Sequence, residues 1–316
     1  MNIFNMVNGN QFYIVDLSYI IFFSGYSAFS TYKRNFDIQN SSLYPKFDPT
    51  LDEEFCEIFQ NTLTYTIKKP LQSINPFINM SNVIFCTDCA RKNIWRREFY
   101  PDYKINRDTK DTSKDEFDFG KVFNYAKKIA IPNLCEEYGC IIVSCECAEG
   151  DDVIAVLTKK ILSDNNKNKV IIISSDRDML QLYQDRVTII TAQGQERTPV
   201  KDIEKLVKIK VNESFSASDF LLFKILIGDG ADNIPNVKSG IGNKKALALV
   251  NDREKLKKML IEDSLVRESF SRNKRLISMN EIPGEVAEMI LESYNRALEN
   301  RSVIWDDRWI TFYFKN

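Results

Sequence analysis

The side chains with the most chemistry to offer in this chain are acidic, and they fall in five groups. Asp16 closes the apolar run FYIVD. Asp88 follows VIFCT. Glu149, Asp151 and Asp152 lie in AEGDD, Asp176 and Asp178 in SSDRD after VIII, and Asp229 and Asp232 in GDGAD, after an apolar stretch that ends at Ile227. The 316 residues contain no histidine. That excludes Ser-His-Asp and Cys-His pairs, HExxH zinc hydrolases and any imidazole base. Ionised carboxylates a few ångströms apart repel one another, so their convergence calls for protonation or a cation. An oxygen-only donor set suits Mg²⁺ or Mn²⁺. More carboxylates than one Mg²⁺ uses points to two ions, which can stabilise both the attacking and the leaving oxygen of a phosphodiester. Each acid alone also reads as a helix cap or a turn residue. It is the repetition, with four groups each just past an apolar run, that argues for one shared site. A phosphotransfer aspartate after the first run is the competing enzyme reading, but DLS at 16–18 lacks the second aspartate of a DxD phosphohydrolase.

The elements that must position these acids follow from hydrophobic period. Short apolar runs at 12–16, 83–86, 141–144, 170–174 and 187–191 read as strands, and the near-continuous VIIIS suits a parallel strand covered on both faces. Helical spacing predicts helices at 51–69 (stopped by Pro70), 119–138 and 151–163. The alternation predicts an α/β doubly wound, mostly parallel sheet up to about residue 200. Beyond it the pattern is helical, at 203–208, 218–227, 244–250, 254–261 and 284–297. Two domains are therefore expected, 1–200 and 201–316. Ligands bind outside the carboxyl ends of such strands, where four of the five acidic groups fall. Residues 25–50 read as an irregular loop with a short helix, and 108–118 as a mobile segment.

Two further features suggest a polyanionic partner. Arg91, Lys92, Arg96, Arg97, Lys104 and Arg107 outnumber Glu98 and Asp102 in RKNIWRREFYPDYKINR, with Trp95, Phe99, Tyr100 and Tyr103 interleaved. Cations neutralise phosphates and aromatics stack on unpaired bases, although a solvated helix face would look similar. Gly240-Ile241-Gly242, followed by Lys244 and Lys245, makes a tight turn into a helix that can hold a phosphate, or that simply packs two helices. Bulk charge adds nothing, since Lys and Arg total 43 against 44 acids. Seven cysteines, an odd number with poor zinc spacing at 86/89 and 145/147, read as free thiols in a reducing compartment. The start lacks a basic leader region, and 12–23 is too short to span a bilayer and carries Asp16, so neither secretion nor a membrane anchor is expected. The final VIWDDRWITFYFKN reads as a packed strand or as a peptide that docks on a partner.

The order Asp16, Asp88, EGDD 149–152, SSDRD 174–178 and GDGADNIPNVKSGIGNKKA 228–246 resembles the 5′-nuclease superfamily of flap endonucleases and 5′→3′ exonucleases. WRREFYPDYKINR, EGDDVIAVLTK and residues 251–295 look most similar to the phage-type ribonuclease H that removes RNA primers. The resemblance implies a PIN-like fold, a basic arch-like segment at about 91–125, and a C-terminal helix–hairpin–helix, often with a bound K⁺, at Gly240–Lys245. It assigns Asp16, Asp88, Glu149, Asp152 and Asp176 to a first Mg²⁺ and Asp178 and Asp232 to a second. Asp151 and Asp229 fit neighbouring family positions. Lys104 and Arg107 match the basic residues that hold the scissile phosphate. Asp16, Asp88 and Asp176 join them in the catalytic set, while Arg91, Lys92, Arg96, Arg97, Tyr103, Gly240, Gly242, Lys244 and Lys245 form the expected nucleic-acid contacts. The implied substrates are DNA and RNA:DNA duplexes with 5′ ends or flaps, cut by a monomer in the cytoplasm, that of the host cell if the chain is phage-encoded. A sliding clamp or single-strand-binding protein is the partner class to consider. Two departures stand out, a long segment at 25–50 and Gly150 where alanine is common. The other function classes are a catalytically silent DNA-binding accessory and a carboxylate–metal phosphatase.

Overall fold

The computed structural model describes residues 10–35, 48–76, 78, 80–108 and 117–301. Six strands form one sheet in the order β3-β2-β1-β4-β5-β6: β1 Gln11–Asp16, β2 Val83–Thr87, β3 Ile141–Ser144, β4 Lys169–Ile173, β5 Val187–Ile190 and β6 Glu196–Arg197. The first five are mutually parallel, and β6 pairs antiparallel with β5. The strand order reverses at β1, which pairs with β2 on one side and β4 on the other, so the crevice of a doubly wound sheet opens beside Asp16.

Period-two alternation splits the core. Ile14, Ile84, Val143 and Ile172 face one layer with helix Gly150–Asp164 and the C-terminal helices; Tyr13, Val15, Phe85 and Ile173 face the other. The first layer runs without a break from the sheet into Phe220, Phe223, Leu226 and Ile290. The α/β and helical parts thus share one body of buried side chains.

The helices are α1 Leu17–Asn35, α2 Glu53–Ile74, α3 Arg96–Phe99, α4 Ile105–Asp108, α5 Phe119–Tyr125, α6 Ile131–Tyr138, α7 Gly150–Asp164, α8 Pro199–Val207, α9 Ala217–Ile227, α10 Asn243–Asn251, α11 Arg253–Glu262, α12 Ser264–Ile277 and α13 Gly284–Glu299. Several expectations need correction. Residues 25–35 are helical, not irregular, because Ala28, Phe29 and Tyr32 supply a buried stripe against Phe55 of α2. Helix α2 continues past Pro70 to Ile74, since Ile67, Pro70 and Leu71 are all buried and their packing outweighs one missing backbone bond. The expected helix 119–138 contains a π-helical turn, Ala126–Ala130, just before Pro132. Helix α12 was not expected; its buried positions include the polar Asn273, which breaks the apolar pattern. The expectations for 36–47, for 109–116 and for the last strand at 302–316 lie outside the described residues. Among the described residues no helix is long and apolar enough to cross a membrane.

Candidate active site

Strand register brings the acids to one end of the sheet. Asp16 pairs with Cys86, two residues before Asp88, while Val15 pairs with Ile173, three before Asp176. Thr87 pairs with Ser144, so Glu149, at the N-terminus of α7, stands on the same rim. The result is a cleft of about 340 Å³ lined by Asp16, Asp88, Glu149, Asp151, Asp176, Asp178, Asp229 and Asp232, with Lys104 and Arg107 on its wall. Eight of the nine expected metal-site acids therefore line one cavity.

Local bonds orient the rim. Asp16 accepts from the Tyr19 amide (3.0 Å) and the Ser174 hydroxyl (2.7 Å). Asp88 accepts from the Ser18 hydroxyl (2.5 Å) and the Gly150 amide (2.7 Å). A Cβ at Gly150 would lie 3.2 Å from that same Asp88 oxygen, so glycine allows this close approach. Asp176 caps the following 3₁₀ turn through the Asp178 amide (2.7 Å).

The ninth acid is placed differently. Asp152 is fully buried behind the cleft, where Arg96 grips both of its oxygens and Trp95 donates to it at 3.0 Å. Its neighbour Asp151 takes the cleft-facing position. Successive residues on a helix point about 100° apart, so the DD pair cannot present both carboxylates to one cavity. Arg96 and Tyr103 are also not on the surface: they are 4% and 3% exposed. Both bond to Glu149, Arg96 at 3.1 Å and Tyr103 at 2.9 Å, and form the back wall of the site. Of the other expected nucleic-acid contacts, Lys92, Lys244 and Lys245 are exposed. Arg91 and Arg97 both hold Asp108, at 2.9 and 2.6 Å. Gly240 adopts a left-handed φ of 80°, and Gly242 leads directly into α10.

Charge divides the acids into two sets. Burial and the repulsion of Asp88 and Asp176 push Asp16 from an ordinary 3.8 up to about 7. Burial, with Asp176 and Asp16 nearby, raises Asp151 well above its usual range. Asp178 rises to about 6, mainly through burial, despite Lys224. Burial also raises Asp232, against the pull of Lys104 and Arg107. By contrast, burial would raise Glu149 and Asp229, but the cations beside them win: Lys104 and Arg96 lower Glu149, and Lys224 lowers Asp229. Lys104 donates to Glu149 and lies 3.5 Å from Asp232, and Arg107 lies 2.5 Å from Asp232. Lys224 was missed by sequence reasoning. It lies within the apolar helix α9, yet it stands 3.1 Å from Asp178 and 2.6 Å from Asp229.

The donor set fits divalent cations. It is all oxygen, and burial together with neighbouring carboxylates raises Asp16, Asp151 and Asp178, a cost that a bound cation would relieve. Among the described residues no three acidic or thiol side chains already close into a metal cage; the carboxylates line the cleft walls instead.

A mostly parallel sheet thus carries a carboxylate cleft at its switch point and continues into a helical C-terminal part. The family described as 5′–3′ exonuclease, N-terminal resolvase-like domain, matches residues 13–215, and the chain belongs to it. The chain is 30% identical over 250 residues to the ribonuclease H of Enterobacteria phage T4, covering 74% of this chain and 75% of that protein. It is 28% identical over 258 residues to a 5′-3′ exonuclease of Mycoplasmopsis pulmonis, covering 81% of this chain and 70% of that one. The fold is that of the T5 D15 protein crystallised with metal ions, with a TM-score of 0.61 at 18% identity over 92% of this chain and 99% of that chain. A T5 D15 flap endonuclease complex with DNA and metal ions superposes equally well, at 0.61.

Proposed function

We propose that the chain hydrolyses phosphodiesters near the 5′ ends of nucleic-acid duplexes, DNA or RNA paired to DNA, as a flap endonuclease and 5′→3′ exonuclease dependent on Mg²⁺ or Mn²⁺. One observation carries the reading: acids from residues 16 to 232 share one cleft whose wall holds Lys104 and Arg107. Asp16, Asp88, Glu149, Asp151 and Asp176 would hold one ion, and Asp178, Asp229 and Asp232 a second. When bound, the pair supplies an acidified water and neutralises charge on the leaving oxygen.

The protein's own part is placement and electrostatics. Lys104 and Arg107 now face Glu149 and Asp232; an entering phosphate would share these cations, which then stabilise charge gathering on its oxygens. Arg96 and Tyr103 hold Glu149 from behind, and Asp152 ties Arg96 to the start of α7. The turn at Gly240–Lys245, with K⁺ as its expected ion, would grip the duplex backbone on the helical side. Residues 1–200 would thus supply most of the cutting site, and 201–316 the grip on the duplex together with Asp229 and Asp232 of the second ion's site. Exposed Lys92, and Arg91 and Arg97 beside Asp108, would add further phosphate contacts.

The test is cleavage of end-labelled nicked and 5′-overhang duplexes, with DNA or RNA 5′ segments, in millimolar Mg²⁺, beside EDTA and Asp176→Asn controls. Short products from the 5′ end, lost in both controls, are expected. Binding without cleavage in either Mg²⁺ or Mn²⁺ overturns the catalytic reading in favour of a silent DNA-binding protein.

A further inference from the structure

The two cations on the cleft wall and the acids they face belong to segments far apart in sequence. Lys104 and Arg107 lie on the stretch 102–108; Asp232, which both of them face, lies on the loop 229–233. That loop is stiff. The amides and carbonyls of Asp229 and Ile234 bond to each other in both directions at 2.8 Å, and Gly228, at φ 68°, leaves no room for a Cβ beside the Ile234 carbonyl. The stretch 102–108 hangs from this loop by backbone contacts that two asparagines make reciprocally. Asn106 donates its amide NH₂ to the carbonyls of Gly230 (3.1 Å) and Ala231 (3.3 Å). From the other side, Asn233 donates to the carbonyl of Asp102 at 2.9 Å. Between them the Lys104 amide, at a left-handed φ of 57°, bonds to the Asp232 carbonyl at 2.9 Å. Neither asparagine lines the cleft.

We propose that Asn106 and Asn233 are positioning residues, a two-amide clamp that holds Lys104 and Arg107 in place against the acidic loop during the reaction. The inference rests on the nuclease reading. Its physical basis is a difference between two kinds of bond. The ion pairs Lys104–Glu149 and Arg107–Asp232 are made with the groups that phosphate and metal would claim, so they loosen when substrate enters. The asparagine bonds go to neutral backbone carbonyls, those of Gly230 and Asp102 away from the cavity and that of Ala231 at its rim, and persist through that exchange. Without them the cations would follow the phosphate instead of presenting a fixed geometry, and an ångström of misplacement is costly to a rate.

The experiment uses the full chain with Asn106→Ala and Asn233→Gly. The glycine tolerates the left-handed backbone that Asn233 adopts at φ 61° while removing the side chain that carries the amide. Four quantities are read: single-turnover cleavage of a nicked duplex, duplex affinity in Ca²⁺, melting temperature, and amide hydrogen exchange across residues 102–108. Each variant is expected to slow cleavage by about tenfold or more and to speed exchange at 102–108. Affinity and melting temperature stay close to wild type, and Asn106→Gln recovers part of the rate. In a Lys104→Ala, Arg107→Ala background, Asn106→Ala adds less than about twofold, because the clamp acts through those cations. Unchanged rates from an active wild type, or an undiminished drop in the cation-less background, sink the clamp alone. A wild type that never cuts sinks the nuclease reading and the clamp with it.

Discussion

Arg96 and Asp152 form a two-pronged ion pair, Nη1 to Oδ2 at 2.8 Å and Nη2 to Oδ1 at 2.7 Å, sealed from water behind the cleft. The same guanidinium reaches Glu149 at 3.1 Å and, through Nε, the Leu276 carbonyl at 2.8 Å, so one side chain joins α3, α7 and α12. Removing one partner leaves the other charged and buried. Arg96→Met is therefore expected to lower unfolding free energy by roughly 3–5 kcal/mol, read from urea midpoints at constant m-value. Asp176→Asn, at an exposed acid of the rim, should leave stability unchanged or slightly raised while abolishing cleavage. If Arg96→Met unfolds at the wild-type midpoint, the back wall is not what holds this region together.

The pH dependence of stability has an unusual sign. Carboxyls with native-state values above their unfolded ones favour the folded protein when protonated and oppose it once ionised. Asp16, pushed by burial and its acidic neighbours from 3.8 to about 7, and Asp178, pushed by burial to about 6, are such groups. The metal-free protein should accordingly lose stability as pH rises from about 4 through about 7, the reverse of a salt-bridged aspartate. Melting scans in EDTA would show this, and millimolar Mg²⁺ should flatten the slope. A melting temperature in EDTA that climbs across that interval contradicts the assignment.

Lys224 supplies the acids on the α9 side with a built-in positive charge. In Lys224→Met, Asp178 and Asp229 lose it. The expected result is a lower melting temperature in EDTA together with a larger rise on adding Mg²⁺ than wild type shows, because the ion then answers more unbalanced charge. Equal Mg²⁺ shifts in the two proteins would mean that Lys224 and the metal do not compete for these acids.

Lys244 and Lys245 open α10 directly after the glycine turn and are exposed. Replacing both by alanine should weaken duplex binding and flatten its dependence on salt, by about 0.9 in log–log slope for each phosphate that is no longer neutralised. Cleavage at saturating substrate should hold. A fall in the saturated rate with unchanged affinity would place these lysines in the chemistry instead of in the grip.

What was legible in the sequence, and what was not, follows from physical range. Asp16, Asp88 and Asp176 were readable because each ends or closely follows an apolar run whose strand character is local, and parallel pairing then fixes which rim it reaches. Asp152 was not, because whether a carboxylate in AEGDD faces the cavity depends on its angle around α7 and on an arginine 56 residues away. Arg96 and Tyr103 looked like phosphate and base contacts for the same reason: a basic, aromatic string gives no sign of the buried acids that claim it. Lys224 was hidden among the apolar residues of FLLFKILI, where a lone lysine reads as a solvated head on an apolar stem. Helix α12 escaped because Asn273, wholly buried, spends its amide on the carbonyls of Ile225 and Pro235 where a pattern search expects an apolar residue.

The cleft draws its walls from Asp16 at one extreme and Asp232 at the other, with contributions from six places along the chain. A polypeptide still emerging from the ribosome holds only part of the set until well over 200 residues have been made, and the shared core is complete only when the later helices are present to pack on the sheet. On the nuclease reading, a chain that ends before Asp232 is therefore expected to be a poor cutter: full capacity would arrive late, with the body that governs where it is applied.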